Sequence, residues 1–331
     1  MHLRNFDIVL TRDNIWFHVT GSPAGSSGYY GSPKYVGCDP TEATTCIAGI
    51  PASRIWSKSA DGLSRETGDR LRTYSQLSDV DARYFIPEER VVRCYHSADA
   101  AQSILMGRCS LPRAAIAREF LRVLIQFGAE EGALGVIGSY LLEKVTADSD
   151  LDVVVEGLPS ITAVWNGLQT SAPEAVRFRN RLDWEAYELF GETVGLSPSD
   201  YASHNVRKVD RGYFRGLEFS IIGISAASIR PDGPVTRLGE VRVTGEVMSH
   251  TAGGFLPGRW RVSLAPPLAG RAGAWLVNSD REFTFQVFEG ERFHAQCEAL
   301  LAENDLYLVV DRRQRPKAFI CADPPLRRRL M

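Results

Sequence analysis

The chain has 331 residues, of which 44% are hydrophobic and 24% charged, with a formal net charge of −2. That length exceeds what a single core usually organises, and that composition excludes a disordered chain. The even balance of charge excludes a protein held to nucleic acid mainly by counterion release over its whole surface, while leaving room for a local basic groove.

The first residues, MHLRNFDIVLTRDN, lack the long apolar core of a secretory signal. No apolar run approaches the roughly 20 residues that span a bilayer, so a cytoplasmic setting without a membrane partner is expected. Cys38, Cys46, Cys94, Cys109, Cys297 and Cys321 are scattered, with neither a C-x-x-C pair nor zinc-like spacing. Up to about residue 105, strand-like runs such as FDIVL and IWFHV alternate with clusters of turn residues such as GSPAGSSGYYGSP. Residues 1–105 therefore read as a β-rich domain with long loops. Within it, Tyr29, Tyr30, Lys34 and Tyr35 are open to two readings, an aromatic-basic acceptor surface or ordinary packing of tyrosines.

Ser110 and Pro112 open a helix that carries Ala115, Phe120, Leu121, Val123 and Leu124 at helical spacing and stops near Gly128. LGVIG and LDVVVEG follow as short strands, the second too continuously apolar to be half exposed. The pattern predicts a further helix over about 173–190, and then GLEFSIIGI as a third strand. From Thr236 the runs EVRVTGEVM, RWRVSLA, AWLVN, FTFQVF, RFHAQCEALLA and LYLVVD recur at short intervals. They predict a small β-barrel or sandwich over 231–331. The expected class is α+β: a central core of mixed sheet and helices over 106–230, flanked by β-rich N-terminal and C-terminal domains.

The chemistry concentrates in GVIGSYLLEKVTADSDLDVVVEG, residues 135–157. Asp150 and Asp152 are two apart on an extended segment, so they project together. Ionising both so close together is costly without a cation, and paired hard oxygens suit Mg²⁺ or Mn²⁺ with water and phosphate completing the shell. Gly138 and Ser139 form a turn whose backbone N–H groups, with the serine hydroxyl, can cradle phosphates, and YLLEKV is expected to open a short helix behind it. Lys144 lies between the two halves, as a phosphate contact or as an exposed lysine.

Gly-Ser, ten residues, then Asp-Leu-Asp entering an apolar strand resembles the signature of the DNA polymerase beta nucleotidyltransferase superfamily, here as Gly138, Ser139, Asp150 and Asp152, with Ser149 before the first aspartate. The whole chain is more loosely similar to a group of predicted nucleotidyltransferases known mainly from archaea. The resemblance implies a nucleoside triphosphate such as ATP as donor, Mg²⁺ on Asp150 and Asp152, and a third carboxylate on a later strand. Glu218 is the expected third carboxylate, as metal ligand and general base, where many relatives have aspartate. Asp183 and Glu185 stand behind it. Arg207, Lys208 and Arg211, in SHNVRKVDRGYFRG with His204 and Arg215, are expected to meet the triphosphate or to be a solvated charge run.

The expected activity is transfer of a nucleoside monophosphate to an acceptor hydroxyl with release of pyrophosphate, the acceptor being a small molecule ahead of RNA or protein. The alternative is a nucleic-acid or protein binding module with a vestigial transferase core. From Thr236 onward 14 Lys and Arg face 11 Asp and Glu, too even a balance for a strong polyanion footprint.

Overall fold

The computed structural model describes residues 3–21, 27–55, 65–74, 76–78, 81–178, 195–205, 207–224, 235–278, 280–302, 305–310 and 318–323. They form two compact units, the first made of Met1–Gln126, Glu130–Val154 and Leu217–Phe219, the second of Phe127–Ala129, Val155–Gly216 and Ser220–Met331. Residues 106–230, read in the sequence as one segment, are shared between them.

In the first unit the N-terminal strands are β1 (Ile8–Thr11), β2 (Ile15–Gly21), β3 (Gly28–Gly37), β4 (Thr45–Ile47) and β5 (Ile50–Arg54). After helix α1 (Arg65–Leu71) come β6 (Gln76–Ser78), β7 (Asp81–Pro87) and β8 (Val91–Tyr95). Their sheet runs β4-β5-β3-β2-β1-β8, with β7 paired to β3 and β6 to β7. Val9, Ile15, Phe17, Val19, Tyr84 and Ile86 supply its core, the β-branched and aromatic residues that suit a pleated, half-buried surface. Asp7 is buried because it ties helix α2 (Ser97–Leu105) to this sheet. The Ser97 N–H and hydroxyl donate to its Oδ1 at 2.8 and 2.7 Å. Helix α3 (Ala114–Gln126) buries Ala117, Phe120, Leu121 and Leu124, one stripe of a 3.6-residue period. Phe120 packs on Phe219 at 4.4 Å between ring centroids. Strand β9 (Leu134–Ile137) is buried throughout, and β10 (Leu151–Glu156) buries Leu151 and Val153–Val155.

Helix α4 (Leu158–Ser171), strand β11 (Val176–Phe178), helix α5 (Pro198–Asn205), β12 (Arg211–Phe214) and β13 (Leu217–Ile224) follow. The five-stranded sheet has the order β11-β12-β13-β10-β9. The second unit continues with β14 (Val235–Ala252), β15 (Gly258–Leu268), β16 (Arg271–Asn278), β17 (Arg292–Ala302), β18 (Asp305–Val310) and β19 (Phe319–Ala322). Their order is β14-β15-β16-β18-β17-β19, and β14 also pairs with β17, so five strands close into a barrel. Closure removes the open edges that a sheet would otherwise present. Trp260, Leu276, Phe283, Phe293, Leu306 and Leu308 fill the core of this region.

The expected α+β class is corrected by these elements. Among the described residues strands take 46% and helices 23%, with five helices and a closed five-stranded barrel. Part of the reason is local. Pro173 ends α4, with Ala172 extended at φ −53° and ψ 131°, instead of opening the expected helix over 173–190. Val176, Arg177 and Phe178 then pair with Phe214, Tyr213 and Gly212 as a strand. The remainder of that helix, with Asp183 and Glu185, lies outside the described residues. Residues 138–143 form a turn and no helix. Among the described residues no helix is long and apolar enough to cross a membrane.

Candidate functional site

The Gly-Ser turn leaves the buried end of β9. Gly138 has φ 70°, and a Cβ on it would stand 2.8 Å from Asp152 Oδ2. Glycine is required there twice, for the left-handed backbone and for the close approach of the carboxylate. The turn is held by the Leu142 N–H donating to Gly138 O at 3.4 Å and the Lys144 N–H donating to Ser139 O at 2.9 Å. The Tyr140 hydroxyl donates to Pro112 O at 3.1 Å, which anchors the segment ahead of α3. Because YLLEKV forms no helix, the turn offers its own amides and no helix dipole. The Ser139 Oγ is shielded from solvent and has no hydrogen-bond partner.

A second turn presents the acids. The Thr146 N–H donates to Ser149 Oγ at 2.9 Å and the Ser149 N–H donates back to Thr146 O at 3.2 Å. Asp150 is exposed and Asp152 half-buried, flanking the buried Leu151. Thus the structure brings Gly138 and Asp152 together, with Ser139 and Asp150 next to them in the chain.

Cations from β3 and from the turn join them. Lys34 is within electrostatic reach of Asp152, Asp150, Arg54 and Lys144. Burial pulls its ammonium down to about 8, Asp152 and Asp150 hold it up, and Arg54 and Lys144 press it further down. The Lys144 ammonium donates to Tyr35 Oη at 2.5 Å and lies 4.2 Å from that ring's centroid. Lys34 thus lies among charges of both signs.

Glu218 lies half-exposed on β13, the neighbour of β10 in the sheet. Among the described residues no three His, Cys, Asp or Glu side chains come together as a metal-binding group. The hard oxygens of Asp150 and Asp152 suit one Mg²⁺ completed by water and phosphate.

Arg207, Lys208 and Arg211, expected at the triphosphate, lie among acids and carbonyls of the second unit. Arg207 and Lys208 are buried and Arg211 nearly so. Arg207 pairs with Glu291 and donates to Gln286 O, with its guanidinium 4.7 Å from the Phe288 centroid. Lys208 donates to Glu282 O, and Arg211 reaches Glu282 Oε1 at 2.7 Å and Arg281 O at 3.0 Å. These cations hold the second unit together. His204 belongs with them: its Nδ1 bonds Asp200 O at 2.6 Å, and its Nε2 accepts from the Ala322 N–H at 2.9 Å. That pattern fixes a neutral ring, and burial first, then the nearby Arg207 and Lys208, press its pKa from 6.5 to about 3.

The residue that sequence reasoning did not place at the acids is Lys34. Its signal was present in Ser-Pro-Lys-Tyr, but pointed equally to a tyrosine surface or to packing. Compared with protein-family models, curated proteins and solved structures, the chain matches none.

Proposed function

We propose that the chain is a metal-dependent nucleotidyltransferase that joins a nucleoside monophosphate to an acceptor hydroxyl, with a small molecule as the preferred acceptor. The acceptor oxygen forms a bond to the α-phosphorus of a nucleoside triphosphate, the bond to the β-phosphate oxygen breaks, and pyrophosphate leaves. The observation that carries this reading is the approach of Gly138 to Asp152, which unites the two halves of a motif separated by ten residues in the chain. Asp150 and Asp152 are the residues that would hold Mg²⁺. When bound, that ion neutralises phosphate charge and makes the acceptor hydroxyl more acidic. Ser139 offers a hydroxyl with no competing partner to a phosphate oxygen, and the amides of its turn orient the donor.

A second reading, a binding module with a vestigial transferase core, is favoured by one observation, that among the described residues no three His, Cys, Asp or Glu side chains form a metal-binding group. One experiment separates them: incubation of the full chain with each nucleoside triphosphate, Mg²⁺ and candidate acceptors, with pyrophosphate release followed and products weighed by mass spectrometry. Metal-dependent release with a nucleotidylated product is the expected result. No turnover with any donor, alongside binding of a macromolecule, contradicts it.

A further inference from the structure

The chain contains five lysines, at positions 34, 58, 144, 208 and 317, among 38 basic residues. Arginine is thus the default cation, and each lysine stands where a compact charge has been kept. Lys208 is tied inside the second unit. Lys34 is within electrostatic reach of Lys144, Asp150 and Asp152, and Lys144 bonds Tyr35, the next residue after Lys34 and 109 residues away from Lys144 in the chain.

Lys34 reaches this place through an irregularity in β3. Opposite β2 the register passes from Trp16↔Tyr35 directly to Phe17↔Pro33, so Lys34 is the extra residue of a β-bulge, with no partner across that ladder. A bulge bends the strand and re-aims its side chains, and Pro33, which lacks an N–H, is tolerated at such a break. Tyr35 stays in register and receives the Lys144 ammonium. Lys34 makes no side-chain hydrogen bond or ion pair among the described residues. A lysine serving only as counterion to the aspartates would be expected to close onto one of them. Here the Lys34 ammonium closes on neither, and the like charge of Lys144 acts against it.

We propose that Lys34 and Lys144 are a binding pair for the β- and γ-phosphates of the donor triphosphate, an assignment that rests on the nucleotidyltransferase reading. Lys34 contacts phosphate oxygen directly. Lys144 is held at the site by Tyr35, and Ser139 adds a neutral donor. A compact ammonium with rotatable donors suits non-bridging phosphate oxygens and would offset the charge of the leaving pyrophosphate. The N-terminal sheet is then a working wall of the donor site.

The test is titration calorimetry of the full chain with inorganic pyrophosphate without metal, and with Mg²⁺ complexes of the four nucleoside triphosphates. Lys34→Met is expected to weaken both kinds of ligand at least tenfold, and Lys34→Arg to restore most of the pyrophosphate affinity. Asp150→Asn with Asp152→Asn is expected to lose the Mg²⁺-dependent binding and to keep or tighten that of free pyrophosphate. Should Lys34→Met unfold, Lys144→Met gives the same reading, with a smaller loss of about threefold. Native-like affinity in folded Lys34→Met and Lys144→Met overturns the lysine assignment and leaves the nucleotidyltransferase reading standing. Lys34-dependent pyrophosphate binding without any triphosphate binding keeps the anion site and removes the nucleotide. Binding of neither ligand by the native chain overturns both.

Discussion

Two charged clusters in this molecule are built from similar side chains and end in opposite states. In the second unit, Arg207, Lys208 and Arg211 face Glu291, Glu282 and nearby carbonyls, and bond to them. In the first unit, Lys34 stands near Asp150 and Asp152 without closing on either, and Ser139 Oγ has no partner. The former cluster is a network of buried ion pairs and hydrogen bonds whose work is cohesion. The latter keeps a lysine that closes on no carboxylate and an idle hydroxyl donor, which is what a site for a polyanion needs before its ligand arrives. A run of basic residues in a sequence says little about which state it will take; where the donors end decides it.

The largest expected effect lies in the ion-paired cluster of the second unit. Arg207→Ala leaves the Glu291 carboxylate, fully buried, without its counter-ion. The expected loss is about 3–5 kcal/mol of stability, measured by urea unfolding, with triphosphate affinity of the folded protein unchanged. An equal loss of affinity in the folded fraction would merge the two clusters into one site.

His204 provides the next effect, through pH. Its imidazole is neutral when folded down to about pH 3 and takes up a proton near pH 6.5 when unfolded. Below pH 6.5 the unfolded state binds more protons, so stability falls as pH falls, by about 1.4 kcal/mol per pH unit until pH nears 3. Above pH 6.5 the ring is neutral in both states and contributes no slope. The difference in unfolding free energy between the native chain and His204→Gln, followed from pH 7 to 4, is expected to shrink with acid. A constant difference would mean the ring is already charged when folded.

Smaller effects sharpen the open cluster. Gly138→Ala places a methyl against Asp152 and strains a left-handed residue, for about 1–2 kcal/mol of stability, and shifts the carboxylate enough to weaken Mg²⁺. Thermal melts with and without Mg²⁺ read both. Ser139→Ala is expected to weaken donor binding by about 1 kcal/mol while leaving the melting temperature level or slightly raised, because the hydroxyl it removes is buried and unpaired.

Much of the local structure was legible wherever one period dominated. Ala117, Phe120, Leu121 and Leu124 announce a helix, and Val153–Val155 a buried strand, because each pattern has one physical solution. The spacing of Gly138, Ser139, Asp150 and Asp152 was legible too, although the left-handed turn and its contact with Asp152 were not. The class of fold was misjudged because three residues after Pro173 could continue a helix or pair with β12, and pairing depends on residues far along the chain. Lys34 was hidden for a related reason: a bulge is a misfit between two strands, and neither strand alone reveals it. Arg207, Lys208 and Arg211 looked like a phosphate loop because the acids that neutralise two of them, Glu282 and Glu291, lie 71 and 84 residues away.

The central claim, that the open cluster of the first unit is a triphosphate site, is met most directly by lysine footprinting. The full chain is acetylated briefly with and without saturating Mg²⁺ and nucleoside triphosphate, and each lysine is quantified by mass spectrometry. The account predicts that labelling of Lys34 and Lys144 falls several-fold with ligand, while Lys208 stays poorly labelled throughout. Labelling of Lys34 and Lys144 that is unchanged by every triphosphate would contradict it.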